Sequence, residues 1–228
     1  MIKQLILTIL FLSSLIFYYQ LTDPTPSLIT AQVTRIIDGD TLQTQDNQTL
    51  RLLGINTPES SQPFYQEAKD YLTNLTANQT IQIESHGTDK YQRTLSYIFY
   101  DSSNINAKIL SNGLATLYYY DKDPHYKELY EAEKFARNNQ LGIWKLSPNS
   151  ACLEILEFKT TEPEILTLKN NCEIFLNITY KDDATHIYKT TLQSKQIYTQ
   201  NFSHIWNDEG DSLYIYDTKG LLIFTRYP

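Results

Sequence analysis

Three short segments collect the side chains able to do chemistry: Asp38-Gly39-Asp40-Thr41, the run Arg51-Leu-Leu-Gly-Ile-Asn-Thr-Pro-Glu59, and Asp89-Lys90-Tyr91-Gln92-Arg93. Together they offer hard oxygen donors, one spare carboxylate and two guanidinium groups. A cation such as Ca²⁺ takes carboxylate, amide and backbone oxygens; Asp40 and Asn56 can supply side-chain oxygens and Thr57 a carbonyl. Glu59 follows a proline that stiffens the chain, and is of the right type to orient or deprotonate a water. Arg51 and Arg93 present planar forks suited to two phosphate oxygens as charge grows on them. The set as a whole is what metal-assisted phosphodiester cleavage asks for. Each piece alone has a plainer reading: a DGDT turn as just a turn, an arginine as a surface ion pair, Thr-Pro-Glu as a helix start.

The elements that must hold these segments can be read from periodicity. Val33–Ile37, Thr41–Gln45 and Thr49–Ile55 alternate as strands, separated by turns at residues 38–40 and 46–48. A helix is expected over Pro63–Thr76, with Phe64, Ala68, Leu72 and Leu75 on one face. Ile81–Glu84 and Thr94–Tyr100 read as strands flanking a loop at His86–Gln92. Asn104 is placed to cap a short helix ending before Gly113, and Ala115–Tyr120 is strand-like. Asp123 as N-cap and Pro124 at the first helical position open a last helix that runs to about Gln140, with Tyr126, Leu129, Ala132 and Ala136 inward. His125, beside that cap, reads as structural or exposed. This order predicts an α+β domain, a small five-stranded barrel with about three helices, over residues 32–146.

Charge and cysteine usage narrow the class. The net charge of −7 is the wrong sign for long-range attraction to nucleic acid, so phosphate recognition has to be local. Two cysteines without a Cys/His cluster argue against a structural zinc site. One early lysine followed by an apolar stretch from Leu5 to Tyr19 makes residues 1–21 a signal peptide or an uncleaved membrane anchor, a buried core helix being the plainer third reading. Residues 22–31, with two prolines, read as a linker.

Taken together, DGDT, RLLGINTPE, DKYQR-TLSYIF, NGLA and a closing GIW resemble the staphylococcal nuclease family from about Gln32 to Lys145. The resemblance implies an OB-fold barrel and endonucleolytic cleavage of DNA and RNA leaving 3′-phosphates. It also implies a Ca²⁺ cofactor held by Asp40, Asn56 and the Thr57 carbonyl, with Glu59 as general base and Arg51 and Arg93 on phosphate. Lys90, Tyr91 and Tyr119 match nucleotide-contacting positions; for both tyrosines, stacking on bases and packing at the barrel rim are alternatives. The family usually has aspartate where this chain has Asn56, so weaker calcium binding is the expected direction. The competing reading is a catalytically weakened surface protein that binds nucleic acid or serves attachment. A monomer is expected, exported beyond the cytoplasm.

Beyond the boundary-like Ser147-Pro148-Asn149-Ser150, residues 151–228 show seven short β runs, the pattern of a sandwich, and no catalytic constellation. Glu164–Asn171 and Trp206–Asp217 with Lys219-Gly220-Leu221 resemble the immunoglobulin-like lamin-tail domain, which implies binding or attachment to an unnamed ligand. A hairpin turn at residues 161–163 sets Cys152 opposite Cys172, Leu156 opposite Leu168 and Phe158 opposite Leu166. That register brings the sulfurs near bonding distance, two free buried thiols being the alternative.

Overall fold

The computed structural model describes residues 28–60, 62–118, 123–183, 186–206 and 211–227; the apolar N-terminal segment, most of the linker and Tyr119 lie outside them. No helix among the described residues is long and apolar enough to cross a membrane. β1 (Ile29–Ile36), β2 (Thr41–Thr44) and β3 (Thr49–Leu52) form an antiparallel meander. After the two-residue β4 (Ile55–Asn56) and helix α1 (Tyr65–Thr76), β5 (Thr80–Thr88) pairs with β1, and β6 (Thr94–Tyr100) pairs with β5. Parallel pairing of β3 with β6 then closes five strands into a barrel. Closure leaves those strands without an open edge. Val33, Leu42, Leu50, Leu52, Ile81 and Ile83 fill the interior. Strict alternation therefore turns Arg51, between Leu50 and Leu52, to the outside of the barrel.

The helices cover the barrel as the apolar spacing indicates. Ala68 and Leu72 of α1 are buried, with Phe64 and Leu75 packed beside them. β7 (Ser103–Asn104) leads into α2 (Ile105–Ser111), where the Asn104 side chain accepts the Ala107 N–H at 3.3 Å. β8 (Thr116–Leu117) pairs with β4 and precedes α3 (Tyr126–Asn138). Several details differ from the sequence expectation: α1 begins at Tyr65 and not at Pro63, and the strand expected over Thr49–Ile55 breaks after Leu52. Residues 86–88 continue β5 instead of forming loop, because Thr88 pairs with Thr94 across the hairpin. Helix α3 starts two residues late: Asp123 accepts the His125 N–H at 2.8 Å in a turn, and His125 occupies the cap position. Tyr126 is exposed, since the inward stripe begins at Leu129 and includes Glu133 in place of an apolar residue.

The second half is a sandwich of seven strands. β9 (Leu153–Lys159), β10 (Glu164–Asn170) and β13 (Ile197–Phe202) form one sheet. β11 (Leu176–Lys181), β12 (Ile187–Leu192), β14 (Asp211–Asp217) and β15 (Gly220–Tyr227) form the other. Cys152 and Cys172 are joined by a disulfide. Phe158 faces Leu166, but a bulge after Thr167 shifts the register so that Leu168 faces Ile155 and Leu156 turns to solvent.

Barrel and sandwich share a third apolar cluster: Ala136, Ile143 and Trp144 from one side pack on Tyr214 and Leu221 from the other. The chain between them is bonded to the sandwich, with Ser147 N–H donating to the Leu221 carbonyl at 2.8 Å and Ser147 Oγ to Asp217 at 2.7 Å. At the centre lies Glu133, fully buried on α3. It accepts the Leu117 N–H at 2.7 Å and two N–H groups of Arg226, on β15, at 2.8 and 3.2 Å. Removing one partner of a buried pair leaves the other charge uncompensated. Glu133→Ala is expected to destabilise the protein by about 3–5 kcal/mol in chemical denaturation, and Glu133→Gln by less, because an amide oxygen still accepts from Leu117.

Candidate active site

The site grows from one carboxylate. Asp40 sits in the turn between β1 and β2, 6% exposed. Its Oδ2 accepts the Thr57 N–H and the Thr57 hydroxyl, both at 3.0 Å, and pairs with Arg51 Nη2 at 3.2 Å. Its Oδ1 accepts from the Thr41 hydroxyl at 3.0 Å. Asp38 turns back to accept the Asp40 N–H at 3.1 Å, and its carboxyl is raised above the usual carboxylate range, first by burial and then by the charge of Asp40. Two glycines make this possible. A Cβ on Gly39 would stand 2.7 Å from the Ala68 Cβ and 2.9 Å from the Thr57 hydroxyl, so only glycine lets the turn lie against α1. Gly54, at φ +72°, turns the chain out of β3 so that β4 doubles back beside Arg51.

Arg51 binds the site together. Nη1 donates to the Leu52 and Ile55 carbonyls at 2.5 and 3.0 Å, and Nη2 lies 3.3 Å from Asn56 Oδ1 as well as 3.2 Å from Asp40. Two oxygens on different parts of the chain thus meet at one nitrogen. The orientation of the Asn56 amide follows from its neighbours: a guanidinium can only donate, so the oxygen faces Arg51. The Asn56 Nδ2 donates to the carbonyl of Asp183, in the sandwich, at 3.3 Å.

The other expected residues have partners of their own. Glu59 is exposed in the turn before α1, its N–H donating to Gln62 at 2.9 Å. Arg93 immediately precedes β6, whose Leu95 is the register partner of Arg51. Its Nε and Nη2 both hold Asp89 at 2.7 Å. Slight burial of Asp89 acts to raise its carboxyl, but the Arg93 bonds and the Tyr91 N–H outweigh it and keep it below the usual range. Tyr91 is 68% exposed, with Lys90 and Arg93 cations 5.1 and 5.5 Å from its ring centre, so rim packing does not describe it. His125 Nε2 donates to Glu84 at 3.1 Å, and Glu84 also accepts from His86 at 2.7 Å, a structural cluster against Tyr97. Among the described residues no three His, Cys, Asp or Glu side chains form a metal cage. One carboxylate and one amide oxygen, both hard donors of the type a cation such as Ca²⁺ takes, meet at Arg51. Sequence reasoning missed Asp89 as the partner of Arg93, legible as the fourth residue before it, and missed Asp183, for which the sequence carries no signal.

Comparison with known proteins shows what the barrel is similar to. The family model described as staphylococcal nuclease homologue matches residues 49–146. A micrococcal nuclease of Shigella flexneri is 37% identical over 131 residues, covering 52% of this chain and 75% of that protein. The chain belongs to the staphylococcal nuclease family. A thermonuclease of Staphylococcus intermedius is 34% identical over 125 residues, covering 50% of this chain and 74% of its own length. An uncharacterized endonuclease of Haemophilus influenzae is 37% identical over 120 residues, covering 50% and 66%. The matched family segment ends where the sandwich begins, so the nuclease family accounts for the barrel alone. Within that barrel, Gly39→Ala is expected to cost about 1–3 kcal/mol by overpacking the turn on α1, read as a lowered urea midpoint with an unchanged slope.

Proposed function

We propose that this protein is an exported, calcium-dependent endonuclease that hydrolyses DNA and RNA with little sequence preference. The observation that carries the reading is the meeting of Asp40, Arg51, Asn56 and Thr57 at one point of the barrel surface. Asp40, the Asn56 oxygen and the Thr57 carbonyl would hold the cation, which when bound would polarise the phosphate. Glu59 takes a proton from water; the resulting hydroxide adds to phosphorus, and the bond to the 5′ oxygen breaks, that oxygen taking a proton from solvent water to leave as the 5′-hydroxyl while the 3′-phosphate remains. Arg51, and Arg93 steadied by Asp89, donate to the oxygens on which charge develops. Tyr91, Tyr119 and Lys90 meet the bases and backbone. Support for export comes from the apolar N-terminal stretch and the disulfide, a bond kept in oxidising compartments. The N-terminal segment either anchors the protein in the membrane or is removed on secretion, and the sandwich is a lamin-tail-like module.

Hydrolysis of single-stranded DNA across a calcium series, with chelator as control, tests the enzyme reading; absence of calcium-dependent cleavage at every concentration sinks it. Glu59→Ala is expected to lower kcat by about 10²–10⁴-fold. Asn56→Asp is expected to lower the calcium concentration for half-maximal rate, since ligand charge sets affinity; an unchanged requirement would show that residue 56 is not a ligand.

A further inference from the structure

The sandwich reaches the nuclease site through the end of one strand. On β11, Tyr180 turns into the core of the sandwich, so Lys181 turns to the opposite face. That face is the one packed on the barrel: Lys181 is the cross-strand partner of Tyr214, which lies in the cluster shared with Trp144. The Lys181 ammonium sits 5.5 Å from the centre of the Tyr214 ring. A cation over a ring face keeps N–H donors for oxygen ligands. Two residues further, the carbonyl of Asp183 accepts from Asn56 Nδ2 at 3.3 Å. The carboxylate of Asp183 accepts from the Tyr214 hydroxyl at 2.7 Å, and the contact with Asn56 is made by the main-chain carbonyl. Burial lowers the Lys181 pKa, while the charges of Asp183, Asp182 and Glu59 act to raise it.

Asn56 acquires a reason here. Its amide is the one side chain of that shape that can offer oxygen to Arg51 and a donor to Asp183 together. An aspartate would set a carboxylate against a carbonyl oxygen. Positive charge is also scarce in this acidic protein, where Arg51 is engaged by Asp40 and Arg93 by Asp89. A lysine on the barrel-facing side of the sandwich, two residues from the Asn56 contact, is therefore of more consequence than it would be on a basic nuclease.

We propose that the sandwich is a wall of the nuclease site, with Lys181 contacting a backbone phosphate of the bound strand and the Asp183 carbonyl positioning the Asn56 side chain. The inference rests on the nuclease reading for its ligand, a nucleic-acid strand. The test is binding of a fluorescein-labelled single-stranded oligodeoxynucleotide to the full chain carrying Glu59→Ala, in calcium, followed by anisotropy over a salt series. Loss of one phosphate contact lowers the slope of log K against log salt by about 0.7, and weakens binding about fivefold near 0.1 M salt. Lys181→Gln is expected to show both effects, and Lys181→Arg to retain binding. Lys189→Gln, an exposed lysine of β12 that removes the same charge, is expected to show neither effect. In a chain also carrying Asn56→Asp, the Lys181→Gln effect should shrink, because the contact that holds the corner is gone. An unchanged slope in Lys181→Gln, an equal loss in Lys189→Gln, or an undiminished effect beside Asn56→Asp overturns the inference. Cleavage by the parent chain is scored separately. Calcium-dependent hydrolysis with no Lys181 effect defeats the inference alone, whereas a Lys181 effect without hydrolysis defeats the enzyme reading alone.

Discussion

A carboxylate taken out of water must have its lone pairs met, and Asp40 is where that constraint shapes this molecule. Four donors from three places answer it: Thr41 beside it, the backbone and hydroxyl of Thr57, and Arg51 from β3. Satisfying one charge therefore sets the turn after β1, the outward side of β3 and the run into β4 against each other. Gly39 and Gly54 are needed because these close approaches leave no room for a Cβ. The same geometry brings the oxygens of Asp40 and Asn56 to one nitrogen of Arg51, so the group that satisfies the buried charge also orients the Asn56 amide.

Barrel closure supplies the second arginine. Because β3 and β6 run parallel and adjacent, Arg51 and the residue that opens β6 emerge along neighbouring strands. Asp89 then takes hold of Arg93 through two donors and two backbone N–H groups, its own and that of Tyr91. A charged fork held this way loses less freedom on meeting phosphate than one waving in solvent. The exposed ring of Tyr91 beside two cations gives the same hairpin a flat surface suited to a base.

The sandwich is joined to this machinery by more than a tether. Glu133 connects Arg226 of β15 to the backbone of Leu117, whose strand β8 pairs with the strand that carries Asn56. Trp144, Tyr214 and Phe224 close the apolar contact around that ion pair. A binding module hung on a flexible linker would have left the barrel unaffected; here its strand end touches Asn56 directly. Asn56 is thus one of the positions where the second domain meets the barrel.

Much of this was legible in the sequence. The barrel strands, the α1 stripe of Ala68 and Leu72, the Asn104 cap and the seven strands of the sandwich all follow from local periodicity and capping chemistry, which act over a few residues. Asp40, Arg51, Asn56 and Thr57 could be nominated together because they lie on two short segments whose residue types have few other joint uses. Local rules failed where a distant partner decided the outcome. Glu133 looks like a solvated helix charge until Arg226, far along the chain, buries it. Leu156 turned outward because a bulge, invisible in alternation alone, shifted the register after Thr167. The approach of Asp183 to Asn56 could come only from the packing of sandwich on barrel. Sequence determined which groups were present and which strands and helices carried them. Tertiary structure decided which of those groups meet, because hydrogen bonds and ion pairs act over a few ångströms of space and take no account of separation along the chain.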